Sequence, residues 1–285
     1  MTIFRPCIDL HAGQVKQIDP SSLTHALTNP PPAASSADSS LKENYVSHLP
    51  ASYYAQLYHD AELRGGHVIK LGPGNDDAAR EALGTWPGGL QVGGGIDEGI
   101  ARGWVEAGAE KVIITSYLFP SARFSLERLK AVLAALGGDR EKLVVDVSCK
   151  QVQGKWVVAM DKWTRLTDME VNQDSIHVLA PFCSELLIHA ADKEGLQRGI
   201  DNELVACLGT WCRSVPAEYQ PFAITYAGGG RSIEDLENVK RLSGGLVDLT
   251  IGSALDIFGG KGVRFEDCVK WNRRQETKTG PERLD

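Results

Sequence analysis

The sequence of 285 residues lacks a long hydrophobic run, since no stretch of 18 apolar residues occurs in it. This excludes a membrane-spanning helix. The N-terminal segment MTIFRPCIDLHAG also lacks the apolar stretch and the cleavage site of a secretory signal, and we expect it to form a first strand.

A surplus of basic charge is missing as well, because the formal net charge is −7. This argues against binding of nucleic acid, whose phosphate backbone needs clustered lysine and arginine. It does not exclude a small phosphorylated ligand. Backbone N–H groups at a helix N-terminus can hold phosphate without a basic surface.

Signatures of metal and cofactor sites are also absent. The six cysteines form no CxxC pair and have no regular spacing, which favours free thiols in a reducing cytoplasm over a zinc site. The segments GGGID and GGGRS lack the spacing of a dinucleotide-binding fingerprint. We therefore predict a cytoplasmic protein that uses neither a metal nor an organic cofactor.

What the sequence does contain is an internal repeat. CIDLHAGQVKQ resembles VVDVSCKQVQG, LQVGGGID resembles TYAGGGRS, and KVIITSYLF resembles VDLTIGSAL. The offsets are 137, 135 and 137 residues, so two homologous halves explain all three matches. The equivalent residues are Asp9 and Asp146, Gly95 and Gly230, and Ser116 and Ser253.

Each half alternates short β-branched runs, such as LVVDVS, with amphipathic stretches, such as FSLERLKAVLAALGG. The runs are typical of buried parallel strands. Eight strands alternating with helices predict a single α/β domain over residues 1–285, a (β/α)8 TIM barrel made of two half-barrels at about 3–138 and 140–272. An open, doubly wound sheet remains the alternative.

Two segments depart from the regular pattern. From strand 1 to strand 2 the chain takes 60 residues, whereas the equivalent distance in the second half is 42. We place the surplus in a long first βα loop at 19–49, rich in proline, serine and alanine, and expect it to be partly mobile over the barrel mouth. The polar tail, 273–285, is expected to fray.

Asp9 and Asp146 are the candidate catalytic residues. They end strands 1 and 5, which lie opposite each other in an eight-stranded barrel, and catalytic groups of such barrels lie at the carboxyl ends of strands. Two carboxylates in one pocket can act as general base and general acid. Either aspartate alone would more simply cap the following loop or helix, but the repeat places both at the same point.

Glycine clusters follow strands 3 and 7, and small hydroxyl residues or glycine follow strands 4 and 8. Glycine provides tight turns anywhere, but loops after neighbouring strands also form phosphate sites in barrels. Since the arrangement occurs twice, we predict a small-molecule substrate with a phosphate at each end. The predicted phosphate-binding residues are Gly94, Gly95, Thr115 and Ser116 in the first half and Gly229, Gly230, Gly252 and Ser253 in the second.

Trp163 and His189 are further candidates for substrate contact. Trp163 lies in the loop after strand 5 and could stack on a planar ring, although loop tryptophans often serve as packing lids. His189 ends strand 6 and could contact substrate or be a hydrogen-bonded barrel residue.

These motifs together resemble one family, the phosphoribosylformimino-aminoimidazole carboxamide ribotide isomerases of histidine biosynthesis. The resemblance runs from about Phe4 to Asn272 and is greatest to the fungal and other eukaryotic branch, through CIDLHAGQVKQ, HVIKLGPGNDDAAREAL, QVGGGI, LIHAADKEG, YAGGGRS and SALDIFGG. Such isomerases convert an aminoaldose, with a ribose phosphate at each end, into an aminoketose by an Amadori rearrangement without a cofactor.

The resemblance also implies roles for individual residues. Asp9 would remove the C2 proton, Asp146 would protonate the ring oxygen, and Trp163 would stack on the imidazole carboxamide. The chain departs from bacterial members at KLGPG, 70–74, and around Ala190, so no role is carried over to Lys70, Asp192 or Glu194.

An acid that works near pH 7 needs a pKa roughly three units above the 3.9 of a free aspartate. Exclusion of water and the second carboxylate could raise it. We therefore expect the pKa of Asp146 to reach the full value that an acid needs only with substrate bound.

Three other functions remain open. The related cyclase of histidine synthesis also uses two opposed aspartates, but it needs a glutaminase partner. The isomerase of tryptophan synthesis relies on a Cys–Asp pair, and we interpret Cys7 as core filling. A catalytically silent barrel that binds phosphometabolites is the third. We expect a monomer, because the barrel encloses its own site.

Overall fold

The computed structural model describes residues 1–18, 43–160, 163, 165–193 and 199–279. Its first barrel strand, β1, has two segments, Phe4–Arg5 and Cys7–His11, separated by Pro6. The remaining barrel strands are β2 Gly66–Lys70, β3 Leu90–Gly93, β4 Val112–Ile114, β5 Leu143–Asp146, β6 Glu185–His189, β7 Ala223–Ala227 and β8 Val247–Thr250. The helices are α1 Ala51–Asp60, α2 Asp76–Thr85, α3 Ala101–Glu106, α4 Leu126–Ala135, α5 Gln173–Leu179, α6 Asn202–Arg213, α7 Ile233–Ser243 and α8 Phe265–Thr279.

The eight strands close into a parallel barrel, and Pro6 marks the point of closure. The segment before Pro6 pairs with β8, through Phe4 and Leu249, whereas the segment after it pairs with β2, through Cys7 and His67. Proline cannot donate to a ladder and is therefore tolerated where a strand changes partner. The (β/α)8 barrel is confirmed and the open sheet is wrong, while the half-barrel boundaries stay a prediction.

Apolar side chains fill the middle of the barrel. Ile113, Val144, Leu187 and Ala227 form a buried interior cluster against Ile69. A larger cluster lies between the strands and the surrounding helices. Burial on both faces explains why the strands read as continuous apolar runs rather than as alternating patterns.

The amino ends of the strands carry a buried polar network, which we call the floor. Its members are Arg5, Gln91, Lys111, Glu185, Thr225 and Asp248. Arg5 Nε lies 3.0 Å from Asp248 Oδ2, and Lys111 Nζ lies 3.1 Å from Glu185 Oε2. Gln91 and Thr225 each donate a further hydrogen bond to the Glu185 carboxylate, at 2.8 and 2.9 Å.

Antiparallel strands follow both aspartate-bearing barrel strands. After β1, Gln14–Ile18 pairs with Glu43–Val46, and we call this pair the β1 hairpin. After β5, a three-stranded sheet contains Cys149–Val152, Lys155–Met160 and Arg165–Glu170. The expected loop at 19–49 thus contains ladder-paired residues at Glu43–Val46. Residues 19–42 lie outside the described part of the chain, so the mobility of the loop stays a prediction.

The tail expected to fray, 273–285, is helical as far as Thr279. Helix α8 buries Cys268, Trp271, Asn272 and Gln275, which recur at helical spacing on one face. Asn272 exchanges two hydrogen bonds with the backbone of Phe4, at 2.7 and 2.9 Å, so the helix is fastened to β1. Residues 280–285 lie outside the described part of the chain.

Among the described helices, none combines the length and the apolar character that crossing a membrane requires.

Candidate active site

Asp9 and Asp146 line one cavity at the carboxyl ends of the strands. Asp9 is in register with Ile69 of β2, and Asp146 is in register with Leu187 of β6. The cavity is lined by Cys7, Asp9, Gln17, His67, Ile69, Asp146, Leu187, His189, Ala227, Gly228, Gly229, Gly230, Thr250, Gly252 and Ser253. The barrel thus brings together two aspartates that are 137 residues apart in sequence.

Asp146 has the environment of a general acid. Burial raises its pKa to about 6, while His189 and a hydrogen bond from Ser148 Oγ to Asp146 Oδ1, 3.1 Å long, oppose the rise. Loss of hydration disfavours the charged form of a carboxyl group. The pKa of Asp146 is thus raised in the ligand-free protein but stays below 7, and full protonation only with substrate bound stays a prediction.

Asp9 has a different neighbour. It is half-buried, and the side-chain amide Nε2 of Gln17 donates to its Oδ2 at 3.2 Å. Gln17 comes from the β1 hairpin and stands at the end of the repeat motif CIDLHAGQVKQ, where no role was predicted for it. The repeat gives no signal for it, because the equivalent residue in the second half is Gly154.

The predicted phosphate residues of the second half lie in the aspartate cavity. Gly229, Gly230, Gly252 and Ser253 all line it. Gly229 has a φ of +77°, and a Cβ atom there would overlap the carbonyl oxygen of Gly199. Glycine is required at this point for both conformation and space.

The predicted phosphate residues of the first half follow β3 and β4 and are not among the residues that line this cavity. Gly94 has a φ of +99° and approaches the carbonyl oxygen of Lys70 so closely that a Cβ would overlap it. Gly95 also has a positive φ, +65°. Thr115 is half-buried, and Ser116 is exposed at the start of a short 3-10 helix, Ser116–Leu118.

Trp163 and His189 lie together at the mouth. Their ring centroids are 5.7 Å apart with an interplanar angle of 44°, and His189 lines the cavity. Trp163 has a φ of +62°, which is costly for a bulky residue and is found where the surroundings impose it.

Sequence analysis missed two buried polar groups at the base of the cavity. His67 Nε2 and Thr250 Oγ1 have no hydrogen-bond partner among the described residues. Burial lowers the pKa of His67 to about 4, with Arg5 acting in the same direction and Glu185 opposing, so the imidazole is neutral at pH 7. Both residues line the cavity.

Lys70, Asp192 and Glu194 are the residues to which the sequence assigned no role. Lys70 pairs with Asp76 at 2.8 Å and lies 3.9 Å from the centroid of the Trp104 ring, so its contacts stabilise the packing between β2 and its neighbouring helices. Asp192 accepts a hydrogen bond of 2.7 Å from the backbone of Gln151. Glu194 lies outside the described residues.

Comparison with known proteins gives consistent matches. The family model described as histidine biosynthesis protein matches residues 3–262. A Neurospora crassa protein is 62% identical over 276 residues, covering 96% of this chain and all of the relative. A Saccharomyces cerevisiae protein is 50% identical over 277 residues, with 96% and 100% covered. Both are named 1-(5-phosphoribosyl)-5-((5-phosphoribosylamino)methylideneamino) imidazole-4-carboxamide isomerase.

A plant relative is more distant. The protein of Medicago truncatula is 42% identical over 275 residues, which cover 96% of this chain and 82% of the relative. It carries the same isomerase name with the qualifier chloroplastic.

Proposed function

The chain belongs to the histidine biosynthesis protein family and is an isomerase of that family, and from this premise we propose that it converts the aminoaldose named for its relatives into the aminoketose. The name of the relatives contains two phosphoribosyl groups. Such a substrate has a phosphate at each end, which agrees with the two sets of glycine and hydroxyl residues in the two halves. Fungal relatives named as isomerases favour this activity over that of the related cyclase.

The observation that carries the proposal is the pair of aspartates in one cavity, with different environments. Asp146, whose pKa is about 6, is partly protonated near neutral pH. It gives its proton to the ring oxygen of the aminoaldose, and the ring opens to a protonated Schiff base. Asp9 then takes the C2 proton, and the resulting enolamine tautomerises to the aminoketose. A carboxyl group with a raised pKa and a second carboxyl group in the same cavity are suited to such acid–base catalysis.

The loop residues hold the ends of the substrate. In the proposal, Gly229, Gly230, Gly252 and Ser253 bind one phosphate, and Gly94, Gly95, Thr115 and Ser116 bind the other. Backbone N–H groups and small hydroxyls provide donors for phosphate without a basic surface.

The mouth residues recognise the middle of the substrate. Trp163 stacks on the imidazole carboxamide, and His189, which is already in contact with Trp163, binds beside it. A monomeric state, action without metal or organic cofactor, and a cytoplasmic location stay predictions.

The test is turnover of the aminoaldose by the purified protein in a metal-free buffer. Asp9→Asn and Asp146→Asn should each lose at least about a hundredfold in kcat while still binding the aminoaldose, because only proton transfer is removed. Asp60→Asn, at an exposed site on α1, is the matched control and should retain wild-type turnover.

Two results would contradict the proposal. Tight binding without turnover by the wild type would indicate a silent phosphometabolite-binding barrel. Absence of binding would mean that the loops after β3, β4, β7 and β8 do not hold phosphate.

A further inference from the structure

Gln17 is a buried polar residue in the catalytic cavity that the mechanism above does not use. It is 4% exposed, although glutamine is a residue that usually faces water. Its Nε2 lies 3.2 Å from Oδ2 of Asp9, so one of its two amide hydrogens is directed at the carboxylate. A donor in this position favours the charged form of a carboxyl group, which is the form that a general base needs.

The other side of the Gln17 side chain is confined by the loop after β8. A Cβ atom on Gly252 would lie 3.0 Å from Gln17 Oε1 and 3.2 Å from Cys7 Sγ. Gly252 does not have a positive φ, so its lack of a side chain provides space rather than conformational freedom. The amide group of Gln17 therefore lies between Asp9 and the backbone at Gly252.

The strand that carries Gln17 is itself fastened to the barrel. Tyr45 is the ladder partner of Gln17 in the β1 hairpin. Its hydroxyl lies 3.2 Å from that of Tyr54 on α1, and its ring centroid lies 6.0 Å from that of Phe258 in an edge-to-face arrangement. Aromatic pairs and buried hydroxyl contacts of this kind fix the orientation of a strand. The position of Gln17 thus depends on both α1 and the segment after β8.

The second half of the chain has no counterpart. The repeat aligns Gln17 with Gly154, which has a φ of +79° and lies in the turn between Cys149–Val152 and Lys155–Met160. Asp146 instead receives a hydroxyl hydrogen bond from Ser148. The amide donor is thus specific to the aspartate of the first half.

We propose that Gln17 is a positioning residue for Asp9, which holds one carboxylate oxygen in place so that the other can accept the substrate proton. The assignment rests on the proposed acid–base function of Asp9. It makes the β1 hairpin a part of the catalytic apparatus, since the strand Gln14–Ile18 delivers the donor that orients the base.

Other ionisable groups face the same space and have to be kept constant in any test. Those that line the cavity with Asp9 are Cys7, His67, Asp146 and His189, and the hydroxyl of Tyr58 lies behind β1, donating to the carbonyl oxygen of Cys7 at 2.9 Å. None of them is altered by substitution of Gln17. A change in titration in a Gln17 variant can therefore be assigned to the lost amide donor.

The experiment compares Gln17→Ala and Gln17→Glu with wild type. Steady-state turnover of the aminoaldose should show kcat reduced about ten- to a hundredfold in Gln17→Ala with KM within about twofold, because a misplaced base slows chemistry without removing substrate contacts. The acidic limb of the profile of kcat/KM against pH should move up by about one pH unit. Gln17→Glu keeps the shape but places a like charge beside Asp9, and it should move the limb further.

The control is Gln14→Ala, which removes an exposed glutamine from the same strand and should leave kcat and the pH profile unchanged. A second readout does not depend on turnover. In the free protein, carboxyl 13C NMR assigned through Asp9→Asn should show Asp9 titrating at higher pH in Gln17→Ala and higher still in Gln17→Glu.

The outcomes separate the two proposals. If both Gln17 variants leave the titration of Asp9 unchanged, or lower kcat no more than Gln14→Ala does, Gln17 is not a positioning residue. If wild type does not turn over the aminoaldose, the proposed function fails, and the NMR series still decides whether Gln17 controls Asp9.

Discussion

Asp146 at the mouth of the barrel is half-buried and Glu185 at its floor is buried, on neighbouring strands, yet the pKa values of the two carboxyl groups move in opposite directions. Asp146 is in register with Leu187, so Glu185 lies two residues lower on β6. Burial raises the pKa of Asp146 to about 6. Burial also acts to raise that of Glu185, but Arg5, Lys111 and His67 outweigh it and lower the pKa to about 2.

The difference lies in the partners rather than in the depth of burial. Glu185 is held by one ammonium group, one amide and one hydroxyl at 2.8–3.1 Å, with the Arg5 guanidinium nearby. Asp146 has the Ser148 hydroxyl and, further off, His189. Nearby cations favour the charged form of a buried carboxyl group, whereas burial without them favours the protonated form. The two ends of the barrel thus hold carboxyl groups with opposite pKa shifts.

Among the substitutions that test this difference, Glu185→Gln should have the largest effect on stability. The substitution leaves Lys111 without its counter-charge, while Arg5 keeps its pair with Asp248, and we expect the free energy of unfolding to fall by about 3–5 kcal/mol. Urea denaturation at pH 7 measures it. The matched control is Glu141→Gln, whose exposed pair with Arg140 should contribute less than about 1 kcal/mol.

The floor should also make the protein sensitive to acid. The pKa of Glu185 is lower in the folded than in the unfolded state, so its stabilisation is fully present above about pH 4.5 and is lost as the pH falls towards 2. The difference in the free energy of unfolding between wild type and Glu185→Gln should therefore shrink as the pH falls through that interval. An equal loss of stability at pH 7 in the two glutamate variants would show that the floor contributes no more than a surface pair.

Asp146→Asn should raise the free energy of unfolding, whereas Glu185→Gln lowers it, and the change should be somewhat smaller. Because the pKa of Asp146 is higher in the folded state, its ionisation destabilises the fold as the pH rises from about 4 to about 6, and the cost persists above that range. The asparagine variant carries no such charge. It should be more stable than wild type by about 1–3 kcal/mol at pH 7 while losing activity.

This gain should disappear below about pH 4, where wild-type Asp146 is protonated as well. Denaturation at pH 7 and pH 4 checks both values. A variant less stable than wild type at pH 7 would show that the ionised carboxylate is stabilised in the fold, contrary to the proposed role of Asp146 as an acid.

The sequence predicts features that appear as a pattern along the chain, but not contacts between residues that are distant in sequence. The barrel, Asp9 and Asp146 were accessible because β-branched runs and a repeat are visible along the chain. The floor was not, since Gln91 and Glu185 are 94 residues apart and their contact exists only after the barrel closes. Gln17 was missed because its contact with Asp9 depends on the ladder that folds Gln14–Ile18 back onto β1, which no pattern along the chain shows. The buried face of α8 was hidden by its polar composition, which outweighed the helical spacing of its few buried residues.

The smallest expected effect concerns the side-chain hydrogen bond from Ser148, which opposes the raised pKa of Asp146 together with one from the Ser148 backbone. Ser148→Ala removes a donor to the charged form, so the pKa of Asp146 should rise above about 6 by up to about one unit. Because the acid must be protonated to act, the basic limb of kcat/KM against pH should move up by the same amount. Ser52→Ala, at a hydrogen-bonded serine outside the cavity, should leave the limb in place. A limb that stays fixed in Ser148→Ala, with Asp146→Asn inactive, would mean that a group other than Asp146 sets the upper pH boundary of the reaction.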